Sequence, residues 1–401
     1  MTTANPIKPK KSGVAGHIPT ALELGELAIN YGDGTSYSSN GSNVVQIGAG
    51  TIAKLNDVNV ASPIPGQTLM WNGEKWANAS NPFTLNDFFK LSSNIVAFER
   101  VGLNALKLSQ PIFANISGSQ VAFNIAESVL MPALVAGTDY AIYACMDRTL
   151  RADANFTAPA GYTALNSYKI GGFHYAPGSN AIAQAGGDST PQINGYSVWD
   201  IKFRPACPDP RGMTLVANNV WVDIYLLSLN HITTGTSAYN VAFANQAAKP
   251  IIPLEFGGNG SSVYANFTWY DAVEILSSYG KRPPTNAEFI ASAYGTTEKS
   301  SATVQTSTIL VPSLTSKWGV IQSTGVMTIW GGNFGGPFGA GADTINTERG
   351  TKTNHPNAST LGGSYASGVS SGSRAADYTN KPSNFPGANS ARGVAQHLII
   401  A

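Results

Sequence analysis

Apolar and polar residues alternate along most of this 401-residue chain, in short runs broken by Gly, Asn, Ser and Pro. A period of two is the signature of strands with one buried face. The first such region is LELGELAINYGDGTSYSSNGSNVVQIGAG (residues 22–50), interrupted at Asp33-Gly34 and Asn40-Gly41. Both dipeptides favour the positive φ angles of tight hairpin turns. A third hairpin signal, Asn72-Gly73, stands between Trp71 and Trp76. So small a hairpin unit cannot bury its apolar face alone. Residues 1–80 are therefore expected to form a module that packs against copies of itself in a trimer. An ordinary β-hairpin domain is the alternative.

Residues 81–201 continue in short strands: NIVAFERVG, ALKLSQPIFANI, QVAFNIA and DYAIYACM. Their spacing predicts a β-sandwich. After residue 202 the pattern changes. GMTLVANNVWVDIYLLSLN predicts a strand pair, and TWYDAVEILSSYG then takes on helical spacing. Thr268 is its expected N-cap, with Asp271 three residues on and Gly280 as the stop. In TNAEFIASAYG, Thr285 and Glu288 form an expected capping box and Gly295 ends the helix. Trp269, Ala272, Val273 and Leu276 are predicted to face a core, as are Phe289, Ile290 and Ala293. Two helices framed by irregular strands and long loops, GGNFGGPFGAGADT among them, fit a C-type-lectin-like domain over 202–401. The predicted class is α+β and β-rich.

Composition narrows the function. Charged residues make up only 12% and the formal net charge is +1, so no global field draws nucleic acid or anionic membrane. The only basic cluster is Lys8, Lys10 and Lys11. No run is long and apolar enough for a membrane span, and the N-terminus lacks the apolar core of a secretory signal. Synthesis in a cytoplasm, with release by lysis, is expected. Cys145 and Cys207 are too few for a disulfide framework or a zinc site and read as buried thiols. His174, His355 and His397 are lone histidines read as hydrogen-bonded residues. Asp147, Asp153 and Asp200 lack the alternation of a calcium loop. Asp271 with Glu274, and Asp343 with Glu348, read as capping or surface carboxylates, not as the paired acids of a glycosidase. Neither cofactor nor catalysis is expected.

One stretch resists a structural reading. GSRAADYTNKPSNFPGANSARGVAQHL (residues 372–398) has ends rich in small residues. Its middle, Asp377–Ser390, holds two aromatics but no Val, Ile, Leu or Met. A polar loop occupies the place where the last core should close.

Longer motifs give that stretch a context. MPALVAGTDYAIYAC (131–145), RADANFTAPAGYT, GGFHYAPGSNA, WDIKFRPACPDPRGMTLV, GKRPPTNAEF, SKWGV and GGSY…GSRAA…ARGVAQHLI together resemble the major tropism determinant family of Bordetella phage. These are trimeric receptor-binding proteins at tail-fibre tips. The resemblance covers most of 131–401. Upstream, LGELAIN…DG…VVQIG and LNDVNV…PGQTLMWNGEKW look like a generic tailed-phage fibre module. The resemblance implies a lectin-like domain diversified by a retroelement that mutates adenines. It implies a fixed frame at Gly362, Gly363, Gly372, Ser373, Arg374, Ala375, Ala376, Arg392 and Gly393. It puts the variable, receptor-contacting positions at Ser364, Ala366, Ser367, Gly368, Ser370, Asp377, Thr379, Asn380, Asn384, Pro386, Ala388 and Asn389. None of these is Trp, Met, Gln, Lys or Glu, the residues that mutation of AAY codons cannot reach. Tyr365 departs from the family's usual tryptophan, and Ala395-Gln396 from its usual Cys-Asp. Asp377 and Asn380 are the expected foremost polar contacts, Arg374 and the interior glycines hold the loops, and Tyr378 and Phe385 pack beneath.

The implied function is attachment of a virion to a host outer-surface receptor, protein or glycan. The homotrimer would join other tail or baseplate proteins through residues 1–80, with no enzyme activity, nucleic-acid binding or membrane insertion. The alternatives are a structural fibre or baseplate component without receptor contact, and a glycan-degrading tailspike.

Overall fold

A computed structural model describes residues 9–48, 58–59, 67–71, 74–80, 87–336, 345–346, 351–352 and 356–399. The chain divides into two units, Met1–Leu85 and Asn86–Ala401.

In the first unit, strands Lys10–Ser12, Leu27–Asn30, Thr35–Ser39 and Val44–Gly48 form a four-stranded sheet in chain order. The first pair is parallel and the others antiparallel. Gly34 and Gly41 supply the positive φ of the two turns, whereas Asp33 and Asn40 do not. Their side chains instead accept hydrogen bonds from following amides: Thr35 on Asp33, and Ser42 and Asn43 on Asn40. Alternation places Ala28 and Tyr37 in the interior and leaves Leu27, Ile29, Val45 and Ile47 exposed. Strands Gln67–Trp71 and Trp76–Ser80 pair antiparallel with Trp71 opposite Trp76, the two rings meeting edge-on at 5.9 Å. The Asn72-Gly73 turn expected between them lies outside the described residues.

In the second unit, the three-stranded sheet Ser119–Phe123, Ile112–Ile116, Asp87–Lys90 packs on a larger sheet. Phe88, Ile112, Ala114 and Phe123 share one core with Tyr140, Ile142, Ile170 and Phe173. The larger sheet, ten-stranded, runs on past residue 201 without a break. Trp199–Asp200 joins Phe203–Pro205, which pairs with the C-terminal strand Val394–Ile399, which pairs in turn with Val220–Asp223. The C-terminal strand thus lies between two strands that precede it by more than 170 residues (Val222 pairs with Val394).

Helices α1 (His231–Thr234), α2 (Trp269–Ser278) and α3 (Asn286–Ser292) follow. Capping boxes open α2 at Thr268/Asp271 and α3 at Thr285/Glu288, because each side-chain oxygen satisfies an amide the helix itself leaves unpaired. The two helices serve two faces of a small sheet, ordered Ala376–Asn380, Asn357–Leu361, Thr328–Gly335, Asn389–Ser390. Trp330 meets the α2 residues Ala272, Ile275 and Leu276, while its neighbour Ile329 meets Phe289 and Ala293 from α3 and the turn after it. That is the two-residue alternation of a strand. Two face assignments differ from expectation. Ile275 is buried where Val273 was expected, because α2 is rotated so that Ala272 and Ile275 stack over Trp330. Ile290 is exposed, because Ser292 turns inward and returns its hydroxyl to the Phe289 carbonyl at 2.9 Å. Gly295 lies beyond the assigned end of α3, which caps at Ala293.

Cys145 and Cys207 are buried free thiols, each pushed up to about 11 by burial. The Lys90 ammonium and Asp200 carboxylate form an ion pair of 2.8 Å with both side chains wholly inaccessible. Asp200 also accepts from the amides of Ala97 and Lys202, and Lys90 donates to the Ile95 carbonyl. Removing one partner of such a pair leaves an uncompensated buried charge. Lys90→Met is therefore expected to lower the unfolding free energy by about 3–5 kcal/mol, read from the denaturant midpoint. An unchanged midpoint would contradict the pairing.

Candidate functional site

The C-terminal polar stretch is bounded by two anchors. The downstream one is Arg392, a fully buried arginine. Its Nη1 donates to the carbonyls of Asp223 (2.8 Å) and Ile224 (2.7 Å), and its Nη2 to those of Ile321 (2.9 Å) and Gln322 (3.1 Å). Burial pulls its pKa down to about 10, against the opposing pull of the Asp223 carboxylate, so it stays charged at neutral pH. Asp223 is itself held by Lys281 (2.6 Å) and Thr236 (2.9 Å). It also accepts from the Gly393 amide at 3.1 Å. A Cβ on Gly393 would stand 2.6 Å from that same carboxylate, so a larger residue there would have to displace the Asp223 side chain from its partners. The strand Val394–Ile399 starts from this lock.

The upstream anchor is Glu298. One carboxylate oxygen accepts from the Ser373 amide (2.9 Å), and the other from the Ser373 hydroxyl (2.5 Å) and the Gln184 amide (2.9 Å). Gly362 completes the anchor, donating to the Ala375 carbonyl while its own carbonyl receives the Gly372 amide. Arg374, expected to hold the loops, is exposed and makes no hydrogen bond or ion pair with the described residues. Glu298 holds the bend in its place, through the amide and the hydroxyl of Ser373. Glu298 lies 75 positions away from Ser373, and no local pattern reveals it.

Between and beside these anchors one sheet and its margin collect five of the expected contact positions. Ser364 bridges Val326 in parallel, and Asn389 pairs with Thr328 two residues along the same segment. Asp377, Thr379 and Asn380 lie on the edge strand beside Asn357–Leu361. Ala366, Gly368, Ser370, Asp377 and Thr379 are exposed, while Ser367, Asn380, Asn384, Pro386 and Ala388 are half-buried. Asp377 binds its own strand, taking the Thr379 amide at 2.8 Å and hydroxyl at 2.9 Å, which presents its carboxylate in one orientation.

Two expected positions are not surface. Ser364 and Asn389 are buried. The Ser364 amide is capped by Ser367 Oγ, and the Asn389 side-chain oxygen accepts from Thr328 Oγ1. Both serve as supports because they pair with the inner segment, Ser364 with Val326 and Asn389 with Thr328. Of the two aromatics expected beneath, Tyr378 does pack. Its ring lies on Gly335 and its hydroxyl accepts from Asn286 Nδ2 at 2.5 Å. Phe385 does not, being 49% exposed. A turn that returns the Asn384 amide to the Lys381 carbonyl carries its ring outward. Sequence reasoning also passed over Val369, which is exposed in the short turn Gly368–Ser370.

The carboxylates weighed for catalysis are otherwise engaged. Asp271 caps α2, and Glu274 accepts from the Tyr264 hydroxyl. Asp343, Glu348 and His355 lie outside the described residues. His174 sits between Asp139 and the Tyr225 hydroxyl, and His397 accepts from the Trp221 indole. Among the described residues, no group of three or more His, Cys, Asp or Glu is placed to hold a metal ion.

A family model described as the Mtd second domain matches residues 96–200. The tail fiber receptor-binding protein of Bordetella phage BPP-1 is 48% identical over 326 residues, covering 78% of this chain and 85% of its own length. Among solved structures, the Major Tropism Determinant I1 variant superposes with a TM-score of 0.78 at 40% identity, covering 98% of this chain and 99% of that one. The P3c variant gives 0.77 at 40% identity, with 98% and 100% covered.

The two arginines flanking the polar stretch make a direct comparison. Arg392→Met takes the guanidinium from four buried carbonyls; that of Ile224 keeps the Ile321 amide at 2.9 Å, and each carbonyl left unpaired costs about 1–3 kcal/mol. It is expected to lower the unfolding free energy by at least about 3 kcal/mol in urea titration. Arg374→Met is expected to stay within about 0.5 kcal/mol of the parent. Equal effects would contradict the division of labour between them.

Proposed function

Because this chain belongs to the family of phage major tropism determinants, we propose that it is the receptor-binding protein of a tail-fibre tip, attaching the virion to a molecule on the host surface. The observation that carries this reading is the separation of a buried frame from an exposed polar face within one short segment. Arg392, Gly393 and Glu298 hold the backbone, and Ala366, Ser370, Asp377 and Thr379 project from it. The relative that covers most of the chain is a phage tail fibre receptor-binding protein.

The C-terminal part, from about residue 202, is a C-type-lectin-like domain, supported by two helices packed on opposite faces of a small, irregular sheet. Residues 81–201 are an intermediate β-sandwich, in line with the family match over 96–200. Residues 1–80 form a trimeric module that docks to other tail or baseplate proteins. The exposed row Leu27, Ile29, Val45 and Ile47 supports self-association, since so small a sheet leaves apolar surface that a second copy would cover. The protein works on the virion and without catalysis. Fixed backbone with adaptable Ser, Thr, Asn and Asp side chains suits recognition by hydrogen bonding. Several copies on one particle convert modest single-site affinity into firm attachment.

Binding of the purified protein to intact bacterial cells, across a strain panel beginning with Bordetella, tests the reading. Asp377→Ala and Asn380→Ala are each expected to weaken binding about fivefold, since a net hydrogen bond contributes about 1 kcal/mol. Ser364→Ala and Asn389→Ala are expected to lower the unfolding midpoint instead. Undiminished binding by the Asp377/Asn380 double variant would remove this face as the contact surface.

A further inference from the structure

The polar stretch contains one large apolar side chain that the fold leaves in water. Phe385 is 49% exposed, yet the segment carrying it is not loose. The Pro382 carbonyl receives the Trp269 amide at 3.1 Å, at the N-terminus of α2. The Asn384 amide returns to Lys381 at 2.9 Å, and the Asn389 amide to Pro386 at 3.3 Å. Pro382 and Pro386 fix two φ angles on either side of the ring. Most of the ordering that a binding loop must undergo is therefore complete before any partner arrives. Val369 repeats the arrangement on the neighbouring segment. It is 77% exposed, at the centre of a 3-10 turn flanked by the contact candidates Gly368 and Ser370.

The energetics of the face point the same way. Its candidate contact residues are small and polar, and each exchanges a hydrogen bond to water for one to a receptor with little net gain. Desolvation of apolar surface carries no such exchange. Interfaces concentrate their affinity in a few side chains, aromatic ones prominent among them, ringed by near-neutral contacts that exclude water. Tyr378 cannot play that part, since its ring lies on Gly335 and its hydroxyl is engaged by Asn286. Phe385 lies between Asn384 and Pro386, both contact candidates, and its ring is free to be covered.

We propose that Phe385 is the principal affinity anchor of the receptor contact, with Val369 as a second apolar contact, and that the polar positions around them decide which receptor group fits. This rests on the receptor-binding reading of the face. The receptor must then offer an apolar group at the point of contact, opposite the Phe385 ring.

The test is the affinity of purified variants for intact cells of a strain that binds the parent protein. Phe385→Ala is expected to weaken binding about 30-fold, the size of an interface hot spot. Phe385→Leu, which keeps the apolar character, is expected to stay within about fivefold of the parent. Val369→Ser is expected to lose about fivefold. Thermal midpoints of all three should match the parent, because these side chains are exposed. Phe385→Ala binding like the parent while the Asp377/Asn380 double variant fails would overturn the anchor and leave the face intact. If every one of these variants binds like the parent, or the parent binds no strain of the panel, the receptor-binding reading of this face falls, and the anchor with it.

Discussion

Four backbone carbonyls converge on the Arg392 guanidinium, and the C-terminal architecture depends on that convergence. The carbonyls come from two distant segments, Asp223–Ile224 and Ile321–Gln322. A single planar side chain therefore ties together two segments almost a hundred residues apart in the chain. Burying a cation is costly unless opposite charge and hydrogen bonds compensate it. Here the Asp223 carboxylate supplies the counter-charge, and it is in turn held by Lys281, Thr236 and the Gly393 amide. Because Gly393 must lie against that carboxylate, the next residues are aimed into the gap between Phe203–Pro205 and Val220–Asp223, where the last strand completes the sheet.

That lock frees the preceding residues from packing. With one end closed by Arg392 and the other by Glu298 on Ser373, the intervening chain does not have to contribute a core. It can be polar, Pro-rich and exposed and still keep one backbone course. The absence of Val, Ile, Leu and Met from Asp377–Ser390 is the consequence, since the frame around the segment supplies the stability. A receptor-binding surface needs the same combination, of side chains open to change on a backbone that is not.

Much of this was legible in the sequence where the physics is local. The capping boxes at Thr268/Asp271 and Thr285/Glu288 formed as read, because both partners lie within one turn of helix. The glycines of Asp33-Gly34 and Asn40-Gly41 took their turns, and the cysteines are buried. What escaped depends on distant neighbours. Whether Val273 or Ile275 faces inward is decided by where Trp330 stands, and whether Phe385 points inward by the turn at Lys381–Asn384. Arg374 and Arg392 look alike in sequence, each beside small residues. Only the carbonyls of residues 223, 224, 321 and 322 distinguish the structural arginine from the exposed one. Glu298 gave no signal at all, because its partner Ser373 belongs to a different stretch of chain. Motif resemblance located the polar face, but not which of its members, Ser364 and Asn389, turn inward.

Frame and surface are then separable in energy, and one multiple variant tests that separation directly. Ala366, Ser370, Asp377 and Thr379 are all exposed and can be changed to Tyr together. Its unfolding free energy should stay within about 1 kcal/mol of the parent, as for surface substitutions generally, while binding to cells recognised by the parent is lost. A fall of several kcal/mol, comparable with loss of the Arg392 lock, would contradict it, because the polar stretch would then be holding the fold together.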